Sequence, residues 1–174
     1  MASATARERY AKQNEGEQLR RAFDKIDNKK DGKIDAQEIA DLFKDLGHRC
    51  AKKDIEDMIW EVDEDCDKAV NWDEFRGMYY RCREDKTGFE PRRLYNVVEF
   101  LINDKDGSGD VSVEEAQQIM YLRYGRQALD QMLTELFGTA DIHSGKKLSL
   151  SEFLHALHVS QIKFLSNRRN KAAK

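Results

Sequence analysis

Proline occurs once in 174 residues, at Pro91. Helices are broken by proline because its ring removes an N–H and clashes with the preceding turn. A chain almost free of it, and rich in Glu, Lys, Ala and Leu, is expected to be all-helical. No apolar run approaches the roughly 18 residues of a membrane span, so none is expected. The first residues, MASATARERY, lack the apolar stretch of a secretory signal. Residue 2 is Ala rather than Gly, so no myristoyl anchor is expected. The three cysteines, Cys50, Cys66 and Cys82, are odd in number and show no C-x-x-C spacing. Free thiols in a reducing compartment, and hence a cytoplasmic chain, follow from that usage. Enzyme motifs are also missing: the chain has no P-loop, no G-x-S-x-G and no H-E-x-x-H. His155 and His158 share a face but have no third ligand, which reads as surface rather than metal site. No enzyme is expected.

Charge is plentiful but uneven. The net charge is −3. Residues 1–90 hold 23 acids and 18 bases, and residues 91–174 hold 10 acids and 12 bases. The last twelve residues, KFLSNRRNKAAK, hold five bases and no acid. Such a tail is either a solvated end or a contact for an acidic surface. No feature favours nucleic acid.

What the chain has in abundance is repetition. Four twelve-residue stretches begin with Asp and end with Glu: Asp27–Glu38 (DNKKDGKIDAQE), Asp63–Glu74 (DEDCDKAVNWDE), Asp104–Glu115 (DKDGSGDVSVEE) and Asp141–Glu152 (DIHSGKKLSLSE). Their starts lie 36, 41 and 37 residues apart. Each has an aliphatic eighth residue: Ile34, Val70, Val111 and Leu148. Helical spacing flanks them. Leu19, Phe23 and Ile26 precede the first stretch, and Ile39, Leu42, Phe43 and Leu46 follow it. Ile55, Met58, Ile59 and Val62 precede the second; Leu133, Leu136 and Phe137 precede the fourth.

This helix–loop–helix pattern resembles the EF-hand superfamily, in particular four-hand proteins of the calmodulin, troponin C and centrin type. The resemblance spans roughly residues 15–165. It implies two lobes, each a pair of hands joined by a short two-strand bridge at the eighth positions. Ile34 would meet Val70, and Val111 would meet Leu148. Pairing buries helix faces that one hand alone leaves in water. The expected layout is a tail at 1–14, a first pair at 15–82, a linker at 83–91, a second pair at 92–165 and a basic tail at 166–174. Gly88 and Pro91 bend the linker, and Pro91 suits the first turn of the next helix. The lobes are then either compact or dumb-bell.

The resemblance also implies calcium, Ca2+, held by loop positions 1, 3, 5, 7, 9 and 12, with a left-handed sixth residue that favours Gly. The third loop fits throughout: Asp104, Asp106, Ser108, Asp110 (through its carbonyl), Ser112 and Glu115, with Gly109 at the turn. The second supplies Asp63, Asp65, Asp67, Ala69 (carbonyl), Asn71 and Glu74, but Lys68 holds the turn, which predicts weaker binding. The first has Lys29 at position 3, where it removes a ligand and adds a positive charge. The fourth has His143, Gly145 and Lys146 at positions 3, 5 and 6 and reads as a structural partner. One intact site and a weakened second are expected.

Sensors of this family open on calcium and grip an amphipathic partner helix. Methionine is scarce beside the aromatics, which points to fixed partners rather than many. Met78, Tyr79 and Met120 are candidate groove residues, with Tyr80 beside them. Lys163, Arg168 and Arg169 are candidate tail contacts. Trp60 and Trp72 are expected to be partly exposed. Three functions remain open: a regulatory or structural subunit of a larger assembly, cytoskeletal or axonemal by analogy with ciliary and flagellar hands; a free calcium sensor; and, with fewest sites in its favour, a buffer.

Overall fold

The computed structural model describes residues 6–85, 87–117, 126–138 and 145–159. The first pair of hands contains α1 (Ala6–Ile26), β1 (Lys33–Asp35), α2 (Ala36–Asp45), α3 (Lys52–Trp60), β2 (Ala69–Asn71) and α4 (Trp72–Glu84). The second contains α5 (Arg93–Asn103), β3 (Asp110–Ser112), α6 (113–117), α7 (Arg126–Phe137), β4 (Lys147–Ser149) and α8 (150–159). The segment 1–14, expected as a tail, is helical from Ala6 onward. It has no breaker before Gly16, so the helix continues towards the N-terminus.

Each pair is joined by an antiparallel bridge. Ile34 faces Val70, and Val111 faces Leu148. All four side chains are buried. The bridge is three residues long on each strand, too short to stand alone. Its stability comes from the helices packed around it.

The last four residues of every loop do two jobs. In Asp35–Glu38 and Asn71–Glu74 the first residue caps the exit helix and Glu bonds back to its backbone N–H. Ser112–Glu115 and Ser149–Glu152 repeat the exchange, with Glu115 accepting from Ser112 N at 2.9 Å and Glu152 from Ser149 N at 3.0 Å. A cap of this kind is worth about 1 kcal/mol. The fourth loop therefore needs its Glu for the helix, whatever its ligand set.

One apolar cluster runs through both pairs. Phe23, Phe100, Phe137 and Phe153 lie in it, and Phe100 meets Phe153 edge-on at 5.5 Å. The two pairs pack compactly, with α1 against α5 and α5 also touching α3 and α4. Arg93 on α5 reaches Asp57 on α3 at 3.6 Å and Glu61, the residue that follows α3, at 3.5 Å, and His48 bonds Ser151 at 2.8 Å.

The linker is ordered by Asp85. Its carboxylate accepts from the N–H groups of Thr87, Gly88 and Glu90 and from the Thr87 hydroxyl, which hold it well below the usual carboxylate range. Pro91 does not start α5 as expected; it precedes the cap residue Arg92. The Arg92 guanidinium bonds back to Cys82 O at 2.7 Å and Asp85 O at 3.2 Å, and its backbone is non-helical. The three cysteines are free. Burial pushes the Cys82 thiol up to about 11, and it donates to Pro91 O.

Phe100→Ala leaves a void under both α5 and α8. It should cost about 3–5 kcal/mol, read as a lower midpoint in chemical unfolding.

Candidate metal centre

The carboxylate at position 12 draws the first three loops shut. Glu38 accepts from Lys29 N and Asp35 N, both at 3.0 Å. Glu74 accepts from Glu64 N at 3.0 Å and Asn71 N at 2.9 Å. Glu115 accepts from Lys105 N at 2.9 Å, Asp106 N at 3.1 Å and Ser112 N at 2.9 Å. The carboxylate at position 1 ties the turn. Asp27 accepts from Gly32 N at 3.0 Å, Asp63 from Lys68 N at 2.8 Å, and Asp104 from Gly109 N at 3.1 Å.

Two sets of acids converge. Carboxylate oxygens of Asp104, Asp106 and Glu115 lie within 4.8 Å of one another, as do those of Asp63, Asp65 and Asp67. Among the described residues no such cluster forms in the first loop. Hard oxygens gathered in this way suit calcium.

In the third loop Asp104 is buried, and its Oδ1 has no hydrogen-bond partner. A buried carboxylate oxygen without a donor is costly unless a cation meets it. Asp106 is held below the usual range by the Ser108 hydroxyl and then the Ser108 N–H, so it stays ionised. Asp110 starts β3, and its carbonyl accepts from Ser108 Oγ at 3.0 Å. Asp104, Asp106 and Glu115 thus converge with the hard-oxygen chemistry that suits calcium, while the Ser108 and Ser112 hydroxyls are bonded to Asp110 O and to the Glu115 carboxylate.

In the second loop the Asp65 carboxyl is pushed up by desolvation and by the like charges of Asp67 and Glu74. Lys33, from the first loop, already pairs with Asp67 across the bridge. Ala69 and Asn71 bound β2, and Asn71 spends its side chain on the N–H groups of Asp73 and Glu74.

The first loop is neutralised from within. Lys29 places its ammonium on the Asp35 carboxylate, linking position 3 to position 9. That bond raises the Lys29 pKa.

Backbone strain separates the loops further. Position 6 is left-handed in all three: Gly32 at φ +84°, Lys68 at +68° and Gly109 at +86°. Position 4 is left-handed too, with Lys30 at +57°, Cys66 at +61° and Gly107 at +72°. The second loop carries two strained residues, the first carries one, and the third carries none because both are Gly. Position 4 adds a demand for a left-handed residue beyond that of position 6. The signal was present as the second glycine of DKDGSGD. In the fourth loop the described glycine, Gly145, turns left-handed at position 5, one residue early. Asp141 and His143 lie outside the described residues.

Of the expected partner contacts, Met78 and Tyr79 are core residues, 2% and 0% exposed. The α4 face that carries them packs inward, and Tyr79 lies 5.3 Å from the ring of Tyr95 on α5. In this arrangement they offer no surface. Among the described residues Tyr80, Trp60 and Phe89 are the exposed large aromatics, while Trp72 is half-buried against Phe23. Met120, Lys163, Arg168 and Arg169 lie outside the described residues. His155 and His158 are exposed. None of the described helices is long and apolar enough to cross a membrane.

Comparison with known proteins agrees with this geometry. The family pattern of an EF-hand domain pair matches residues 17–80. Calmodulin-like protein 2 of Arabidopsis thaliana is 30% identical over 139 residues, 78% of this chain and 88% of that protein. Troponin C of Tachypleus tridentatus is 30% identical over 117 residues, 67% of this chain and 72% of its own length. The "Probable calcium-binding protein CML27" of Arabidopsis thaliana is 28% identical over 137 residues, 79% of this chain and 75% of its own.

Relief of the left-handed Lys68 is the direct test of the strain argument. Lys68→Gly should tighten calcium at the second loop about tenfold, for roughly 1–2 kcal/mol of strain, measured by calorimetric titration.

Proposed function

The chain belongs to the EF-hand family of calmodulin-like calcium-binding proteins, and from that premise we propose that it is a regulatory or structural subunit. In this reading calcium acts through one strong site, Asp104–Glu115, with Asp63–Glu74 as a weaker second. The observation that carries it is the buried, unpartnered Oδ1 of Asp104 in a loop whose two left-handed positions are both glycine. In the first loop the Lys29 ammonium lies on the Asp35 carboxylate and supplies a counter-charge that does not depend on calcium.

Such a chain grips a protein partner, an amphipathic helix or a filament, through part of its surface at all calcium levels. A cytoplasmic assembly of the cytoskeletal or axonemal kind fits that behaviour, by analogy with divergent hands that serve as fixed subunits. A free sensor that binds targets only when loaded is the second reading. The acids of the second loop favour it, because filling both pairs would couple both lobes to the ion.

Glu115→Gln removes a bidentate ligand and should abolish the tight calcium site, with a dissociation constant in the range of about 10⁻⁷–10⁻⁵ M for a sensor. Wild-type tightness in that variant would refute the site. Partner recovery from a cell extract, with calcium and with chelator, separates the two readings. Equal recovery supports the subunit; recovery with calcium alone supports the free sensor.

A further inference from the structure

The third loop has a neighbour from the other pair of hands. Lys25, in the last turn of α1, places Nζ 3.2 Å from Asp104 Oδ2. The Asp104 side chain is fully buried and that of Lys25 is about one-third exposed, 0% against 36%. The two oxygens of Asp104 are therefore in different situations. Oδ2 receives the Lys25 ammonium and the Gly109 N–H. Oδ1 receives nothing. One turn earlier on α1, Arg21 donates to Lys105 O at 2.7 Å and to Leu101 O and Ile102 O at 3.2 Å each. It caps the carbonyl end of α5, where a cation is favoured by the helix dipole. A cavity of about 250 Å³ lies between these groups, lined by Arg21, Lys25, Asp104, Asp106 and Gly107 among others.

We propose that Lys25 sets the calcium affinity of the third loop from outside that loop. It couples ion loading there to the docking of α1 on α5. The proposal rests on the reading of Asp104–Glu115 as the strong site. Lys25 and an ion held by Asp104 would share one carboxylate, with like charges on its two oxygens. Their repulsion lowers the affinity of the docked molecule. Linkage makes the effect reciprocal: an ion that is repelled by docked Lys25 also weakens docking by the same factor. The chain thereby acquires a device that no single loop contains. The first helix holds the lobes together through the mouth of the one site that is built to bind.

The test is a calorimetric calcium titration of the full chain, comparing wild type with Lys25→Gln, Lys25→Arg, Arg21→Gln and the Lys25→Gln/Arg21→Gln pair. Lys25→Gln should tighten the third site about three- to tenfold, the size of a screened repulsion between a divalent ion and a nearby ammonium. Lys25→Arg keeps the charge and should retain wild-type affinity. Arg21→Gln loosens α1 and should tighten binding when Lys25 is present but add little when it is Gln. Circular dichroism checks that each variant is folded, which the partial exposure of Lys25 favours. Unchanged or weaker binding in Lys25→Gln overturns the proposal, because the ammonium would then be neutral to the ion or would be orienting Asp104 for it. An Arg21→Gln effect of equal size in both backgrounds, or none in either, overturns the coupling to docking. Glu115→Gln is the control that separates the two levels. If that variant keeps the tight site, the site reading fails and this proposal fails with it. If it loses the site while Lys25→Gln changes nothing, this proposal fails alone.

Discussion

The first three loops of this protein are closed by the glutamate at the twelfth position, and in the fourth Glu152 holds the start of the exit helix. That carboxylate accepts the N–H that opens the exit helix, and in the first three loops it also accepts an N–H from the other end of the loop. In those three loops the bond ties the start of the loop to the start of the exit helix, whose apolar faces pack into the core. It also gathers negative charge. Drawing Glu towards Asp at positions 1, 3 and 5 builds a cluster of like charges, which is unfavourable until something positive compensates.

The loops differ in what supplies that compensation. In the first it is Lys29, a fixed ammonium within the loop. In the second it is partly Lys33, reaching over from the first, and the Asp65 carboxyl still bears the strain of its neighbours. In the third, Lys25 meets one oxygen of Asp104 from the outside and leaves the other without a donor. The differences in ligand set thus correspond to differences in how each pair is held together. A lysine in a loop is a permanent cation whose presence does not depend on the calcium level. Only a loop with no lysine at its ligand positions or at its left-handed sixth position can respond to that level fully.

Much of this was legible in the sequence. Four Asp-to-Glu stretches with an aliphatic eighth residue predict the paired hands, and Ile34–Val70 and Val111–Leu148 meet as the spacing implies. The acids of the second and third loops converge as their positions require. What was hidden is what periodicity does not encode. Lys33 and Lys25 act on loops other than their own, and only the packing of one hand on another brings them there. Met78 and Tyr79 sit on a helix that could turn either face to its neighbour; α5 covers the face that carries them. Left-handed Cys66 was invisible because position 4 tolerates many residues at a cost, whereas position 6 advertises its demand through glycine.

The ordering of the loops can be measured in one experiment, a calcium titration followed by nuclear magnetic resonance at the position-6 amides. Gly32, Lys68 and Gly109 each donate to the first carboxylate of their loop, so each reports on its own site. The Gly109 signal should saturate first, that of Lys68 only at about tenfold higher free calcium for its backbone strain, and that of Gly32 should show no saturable shift of its own. Gly32 titrating together with Gly109 would contradict the ranking of the loops, and with it the view that lysine has taken the place of calcium in the first hand.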